Sequence, residues 1–304
     1  MSGSTSRKYG FSDFFTSYFS NFGWMLIVNL MFCVPLAVFI GGLVLLAKTQ
    51  GEVSWFVIFL LIPLMSPFFA GLTNVCRKLV SEGRVRPVKD FFRGIKDNWL
   101  FFLINSIFFY ALTSGMFIII SINREAGGGP VLVYLIIMAL TSLAFLMMEF
   151  SALVMAASVD IGFTDIIRNS LVLITKGIAN HLKTIFALLF LSFMLYTIAV
   201  SIPSMVVLLI VFGVLTAVLL PTLVTYIVVF NSYQTIEKHV IKPFQAEADK
   251  LQQQRIEKEK EDSLTVEELL PLSKGDPEEY VFLNGKTLKR KTILKMIEVR
   301  ENKK

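Results

Sequence analysis

A chain of 304 residues that is 55% hydrophobic and only 17% charged, with a mean hydropathy of +0.67, departs from soluble domains, in which charged residues make up about 25%. That balance excludes an ordinary water-soluble enzyme and puts the chain in a lipid bilayer. The formal charge of +6 is carried by loops and by the tail, outside the long apolar runs.

In chain order, the first predicted element is an amphipathic helix opening at "GFSDFF", residues 10–15. Phe11, Phe14, Phe15, Tyr18, Phe19 and Phe22 recur at helical spacing, while Ser12, Asp13, Thr16, Ser17 and Ser20 fill the other face. Ser12 is expected to cap the helix, and Asp13 to sit near the positive end of its dipole. Two apolar runs follow, about 22–47 and 53–75, joined by a link whose only charges are Lys48 and Glu52. Both are long enough to cross a hydrocarbon core, which takes roughly 20 helical residues. The first run is too long for the apolar segment of a cleaved signal peptide and lacks a small-residue cleavage site, so it is expected to remain as a span.

A basic loop comes next, and a second amphipathic helix is predicted from Pro87, a residue suited to a first helical turn. It carries "DFF" at 90–92 and an apolar stripe of Val88, Phe91, Phe92, Ile95 and Trp99. Runs of about 99–122 and 130–159 flank the turn "NREAGGGP", whose glycines and proline break helices. The third amphipathic helix opens at "GFTDII", residues 162–167, with Thr164 as its expected cap and Phe163, Ile166, Ile167, Leu171 and Ile174 on one stripe. Runs of about 182–202 and 205–230 meet at "SIPS".

The expected fold is therefore all-α: a polytopic membrane protein of six transmembrane helices, built as three parallel pseudo-repeats of about 10–86, 87–161 and 162–240. Asp13, Asp90 and Asp165 set the periods of 77 and 75 residues. Each unit is an interfacial amphipathic helix, leading to Asn21, Asn98 or Asn180, followed by a helical hairpin. Two spans per unit keep successive units in one orientation, so the predicted symmetry axis lies along the membrane normal. The short helices either fix the angle of the following span at the interface or offer a docking surface, with Phe14, Phe15, Phe91, Phe92, Ile166 and Ile167 as its residues. Arg84, Arg86, Lys89, Arg93 and Lys96 form a basic loop suited to anionic lipid.

Lysine and arginine are concentrated in 76–98, in 160–183 and at both ends, against Lys48 and Arg124 in the opposite links, which predicts cytoplasmic termini. Cys33 and Cys76 are not expected to form a disulfide. Glu149 is the one acid well inside a span, about ten residues or about 15 Å from its end. It is either a protonated structural glutamate or a proton- or substrate-linked site. Asn29 and Asn105 lie at similar depths and read as interhelical hydrogen-bonding groups, completing a candidate intramembrane polar site. Pro35, Pro63, Pro67 and Pro221 interrupt spans and free backbone carbonyls. His181 is expected at the interface. With His239 it has no metal-ligand spacing, and no phosphate loop occurs, so no catalytic residue, metal or cofactor is expected.

From about 241 to 304 the composition turns charged. "QAEADKLQQQRIEKEKED" reads as a solvated helix or linker. Residues 256–280 hold nine acids and three lysines, Asn284-Gly285 between alternating runs signals a small hairpin, and 286–304 hold eight basic residues. The basic end is expected as a solvated tail; contact with lipid, ribosome or RNA, or pairing with the acidic stretch, are the alternatives. It lacks the aromatic platform that specific nucleic-acid recognition uses.

At "SPFFAGLTNVCRKLVSEGRVRPVKDFFRGIKDNWLFFLIN", residues 66–105, the chain resembles the YesL-like family of bacterial membrane proteins, a domain family of unknown function. Pro67, Gly71, Arg77, Lys78, Phe91, Phe92 and Asn98 carry the likeness, and "NLMFCVPL" and "DIGFTDIIRNSLVLITKGIANHLKTIFAL" extend it over roughly residues 10–230. The resemblance implies a multi-pass protein of the cytoplasmic membrane of Gram-positive-type bacteria, and a non-enzymatic accessory or assembly factor linked to carbohydrate transport. Its expected partners are the bilayer, anionic lipids and a membrane transporter complex, with no specific nucleic acid. The rival expectation is a small transporter or channel with a polar path near Glu149.

Overall fold

The computed structural model describes residues 10–51, 53–125, 131–262, 266–283 and 286–301, and it is an all-α polytopic membrane protein. The chain divides into two compact units, Met1–Ile241 and Lys242–Lys304. Among the described residues of the first, five helical segments are long and apolar enough to cross a membrane, and a bent pair makes a sixth when counted as one span.

The first unit opens with α1 (Phe11–Ser20), which leads through Asn21 into the 29-residue α2 (Phe22–Gln50). A short α3 (Trp55–Phe59) is followed by α4 (Leu61–Glu82), and together they form the second span. Gly83 ends α4 in the left-handed conformation (φ +70°), and its N–H bonds to the Leu79 carbonyl. Then come α5 (Pro87–Glu125), α6 (Val131–Ser158), α7 (Phe163–Lys176) and α8 (Ile178–Ser201). The last span, over the run 205–230, is interrupted beside Pro221, as expected of a proline inside a span. It consists of α9 (Met205–Val218) and α10 (Leu220–Ile236), broken at Leu219, because Pro221 has no N–H to continue the ladder and its ring crowds the preceding turn. A π-helical turn at Glu237–Ile241 closes the unit.

The helices do not confirm three equal units. A separate amphipathic helix precedes the span in the first and third (α1 and α7), but in the second it runs on without a break into the 39-residue α5, and Asn98 marks no boundary. In the third, the break falls at Gly177, ahead of Asn180. The expected caps also differ. Gly10 and Gly162 are the cap residues, and Ser12 and Thr164 lie inside their helices. The aspartate does the work in two of the three cases: Asp13 accepts from the Gly10 N–H at 2.8 Å, and Asp90 from the Arg86 N–H at 2.7 Å.

Packing is centred on α4, α6 and α10, each of which touches the other two. Around them α2 contacts α10 and α4, α5 contacts α4 and α6, and α8 contacts α6 and α10. The closest seam joins α4 to the start of α5. A Cβ on Gly94 would come within 2.8 Å of the Ala70 carbonyl, and one on Gly71 within 2.8 Å of the Phe91 ring. Tyr18, Met25, Leu72, Phe91, Met155 and Tyr226 are core residues of the unit. Both cysteines are free, as their positions predict.

In the second unit, α11 (Lys242–Asp262) carries the charged stretch. The basic end is not a solvated tail. α12 (Val266–Ser273), strands β1 (Tyr280–Leu283) and β2 (Lys286–Lys289) and α13 (Arg290–Glu301) enclose a small core of Leu269, Leu283, Ile293 and Ile297. The strands pair antiparallel, Tyr280 opposite Lys289 and Leu283 opposite Lys286, while Asn284 and Gly285 lie outside the described residues. Acidic and basic segments meet at Glu278, which holds Lys289 at 2.6 Å and Lys291 at 2.9 Å, and at the Glu279–Arg290 pair. These lysines hold the Glu278 carboxyl below its usual range.

Candidate functional site

The three intramembrane polar residues do not converge on one site. Asn29, fully buried on α2, serves the bend between α9 and α10: its Nδ2 donates to the Val218 carbonyl at 2.8 Å, and its Oδ1 accepts the Thr222 N–H at 2.9 Å. These are the backbone groups that a proline-broken helix leaves exposed. Tyr18 adds a 2.8 Å hydrogen bond to the Thr222 hydroxyl, and burial pushes its phenol well above the usual range. One amide therefore satisfies a donor and an acceptor that would otherwise stand bare in hydrocarbon.

Asn105 instead donates to Glu149 Oε2, tying α5 to α6. Glu149 is buried beside Met147 and Phe150, and its Oε1 has no hydrogen-bond partner among the described residues. His181, expected near the membrane interface, is the fourth residue of α8. It is fully buried at the junction of α6, α7 and α8, with Nε2 at 3.2 Å from the Ser151 hydroxyl and 3.3 Å from the Leu173 carbonyl. A Cβ on Gly177 would come within 3.1 Å of the same nitrogen, so the break between α7 and α8 makes room for this ring.

The six aromatic and aliphatic residues of the predicted docking surface divide by direction. Phe91 and Ile166 are core residues, and Phe14 packs on Tyr226 and Phe230 with ring centres 4.9 and 5.3 Å apart. Ile167 is half-buried, whereas Phe15 and Phe92 face outward. The short helices are thus seated on second-of-pair helices: α1 on α10, the start of α5 on α4, and α7 on α6. Arg84, Arg86, Lys89, Arg93 and Lys96 are all exposed. On α5, Lys89, Arg93 and Lys96 run beside a second exposed stripe of Val88, Phe92 and Trp99, since positions three and four apart share a helix face.

A sizeable cavity lies away from Glu149. A cleft of about 790 Å³ opens where the end of α4, the first half of α5, the end of α6 and the start of α7 meet. Arg77, Lys78 and Arg93 line it together with Glu82, Asp97 and Asp160, and its lining along α5 ends at Ile104, so neither Asn105 nor Glu149 belongs to it. Its floor is pinned by Asp90, which is buried and binds Lys78 at 2.5 Å, and by Asn74, which donates to the Asp90 carbonyl at 2.7 Å. In the sequence Arg77 and Lys78 stand out as loop charge and as part of the likeness at residues 66–105, and Asp160 does not stand out. Four segments far apart in the chain build the cleft, and the one local signal was a pair of basic residues inside the last turns of a long helix.

Among the described residues no group of three His, Cys, Asp or Glu side chains is placed to hold a metal ion. Comparison with protein-family models, with curated proteins and with solved structures finds no match for this chain.

Proposed function

We infer that the chain is a non-enzymatic accessory or assembly factor of a bacterial cytoplasmic membrane, related to the YesL-like family and working beside a carbohydrate transporter. The observation that carries the reading is the outward face of α5, where Val88, Phe92 and Trp99 are 46–59% exposed next to Lys89, Arg93 and Lys96. An apolar-aromatic stripe flanked by basic residues at the end of a span is chemistry for anionic headgroups and for a membrane partner at that level. The link to carbohydrate uptake comes from the resemblance at residues 66–105. The excess of lysine and arginine at this end argues for cytoplasmic termini.

The three helix pairs are also read as pseudo-repeats about one axis. In support, the contacts run in a cycle: each first-of-pair helix lies between its own partner and the second helix of the preceding pair, with α2 closing the cycle on α10.

Affinity capture in mild detergent tests the main reading. The wild-type chain should bring down sugar-transporter subunits, and Phe92→Glu should lose them. Recovery of the chain alone contradicts the reading. A second reading, a small transporter with a path near Glu149, is favoured by the Oε1 of that side chain, which has no hydrogen-bond partner among the described residues. Its test is uptake by the chain reconstituted alone in vesicles, which Glu149→Gln should abolish.

A further inference from the structure

The cleft between α4, α5, α6 and α7 has the size of a ligand site, about 790 Å³ against a usual range of roughly 300–1,000 Å³. Its charges balance, three basic residues facing three acids, but they are unequally engaged. Lys78 is held by Asp90, and Arg93 pairs with Asp97 at 3.2 Å. Arg77 is under-committed: Nη2 donates to Asn74 at 3.1 Å, Nη1 stands 3.5 Å from Glu82, and Nε has no hydrogen-bond partner among the described residues. Asp160, exposed on the link between α6 and α7, makes no ion pair among the described residues. An anion alone would meet three carboxylates here, and a cation alone three basic groups. A ligand with both signs meets neither penalty.

One wall of the cleft is apolar and leads out of it. Leu100 and Ile104 line the cavity yet remain 53% and 42% exposed, and α5 continues into the span with exposed Ile107 and Phe108. A head carrying both charges and a tail that is apolar therefore match the two halves of the surface. We propose that this cleft binds the head of a zwitterionic aminophospholipid, with the phosphate at Arg77, the primary ammonium at Asp160, and the acyl chains along Leu100 and Ile104. A guanidinium suits phosphate oxygens because its N–H groups form a planar fork. The ammonium offers three donors to a carboxylate, whereas a trimethylated choline head offers none. This goes beyond the accessory reading and does not depend on it, because it requires only that the cleft lie at headgroup depth.

The test uses the full chain, purified in detergent and stripped of lipid, with retained lipid counted by native mass spectrometry. Phosphatidylethanolamine, phosphatidylcholine and phosphatidylglycerol of equal chain length are offered in turn, and free phosphoethanolamine is offered as a soluble source of the same head. One ethanolamine lipid should be retained with about tenfold preference over the choline lipid, the scale of hydrogen bonds to charged groups. Asp160→Asn, a substitution at an exposed link position, should reduce that preference to parity, and Arg77→Gln should weaken retention of every phospholipid. Equal retention of ethanolamine and choline lipids by the wild-type chain, or an unchanged preference in Asp160→Asn, overturns the proposal. Free phosphoethanolamine binding as tightly as the lipid overturns it too, since the apolar wall would then play no part.

Discussion

Asn29 and Asn105 are both buried amides in first-of-pair helices, yet they sit in opposite kinds of environment. Around Asn29 every group is matched, with its donor on the Val218 carbonyl and its acceptor on the Thr222 N–H, so that a broken helix is made whole. Around Asn105 the accounts are unequal: Glu149 accepts one hydrogen bond, and its second oxygen has no partner among the described residues. A buried polar residue in a span is thus no marker of function by itself. Complete satisfaction identifies repair of the backbone, while an unmatched carboxylate oxygen identifies a place where a proton, water or solute has something to gain.

The largest effect is expected from Asn29→Leu, which bares a carbonyl and an N–H at the α9–α10 bend, each costing about 1–3 kcal/mol when buried without a partner. Thermal unfolding in detergent should show the loss, and an unchanged midpoint would mean that the bend holds itself. Next comes Asp90→Ala, which removes both the cap on Arg86 N–H and the partner of Lys78. Charged hydrogen bonds of this kind contribute about 1.5–3 kcal/mol, and the same unfolding measurement reads it.

Glu149→Gln should shift stability by less than about 1 kcal/mol, because an amide can still pair with Asn105 and interhelical bonds in membranes average about 0.6 kcal/mol. A loss as large as that of Asn29→Leu would show the second knot to be as structural as the first. The smallest effect lies in the other unit. Lys289 and Lys291 lower the Glu278 carboxyl, so their contribution is complete above its ordinary range and fades as pH falls through the depressed value. Acid titration followed by nuclear magnetic resonance should place Glu278 below the other exposed glutamates, and Lys289→Ala should move it back toward them.

Much of the membrane unit was legible because hydrophobic burial is written in runs. The apolar segments located the spans within a few residues at most ends, and "GFSDFF" announced α1 through its helical stripe. Legibility failed where a residue's partner is remote. Nothing near Asn29 points to Thr222, 193 residues away: Pro221 itself signals an interruption in the run 205–230, but not which side chain covers the backbone groups it frees. The stripe on α5 was misread in part for the same reason. Phe91 and Phe92 are neighbours of one type, but only the seam at Gly71 and Gly94 decides that Phe91 goes inward and Phe92 outward. The basic end of the tail looked solvated because its four core residues are spread over 29 positions, too thinly for a periodic signal.

By itself, then, the sequence determined that this chain lies in a membrane as an all-α protein, because sustained apolar runs have no other low-energy environment and the backbone within them must bond to itself. Which polar groups become neighbours follows from how the helices pack. That packing separated Asn29 from Glu149, sank His181 into a three-helix junction, and gathered Arg77 and Asp160 around one cleft. Those outcomes depend on the close approach of helices at a few small residues, and such contacts are set by three-dimensional packing that no local window contains.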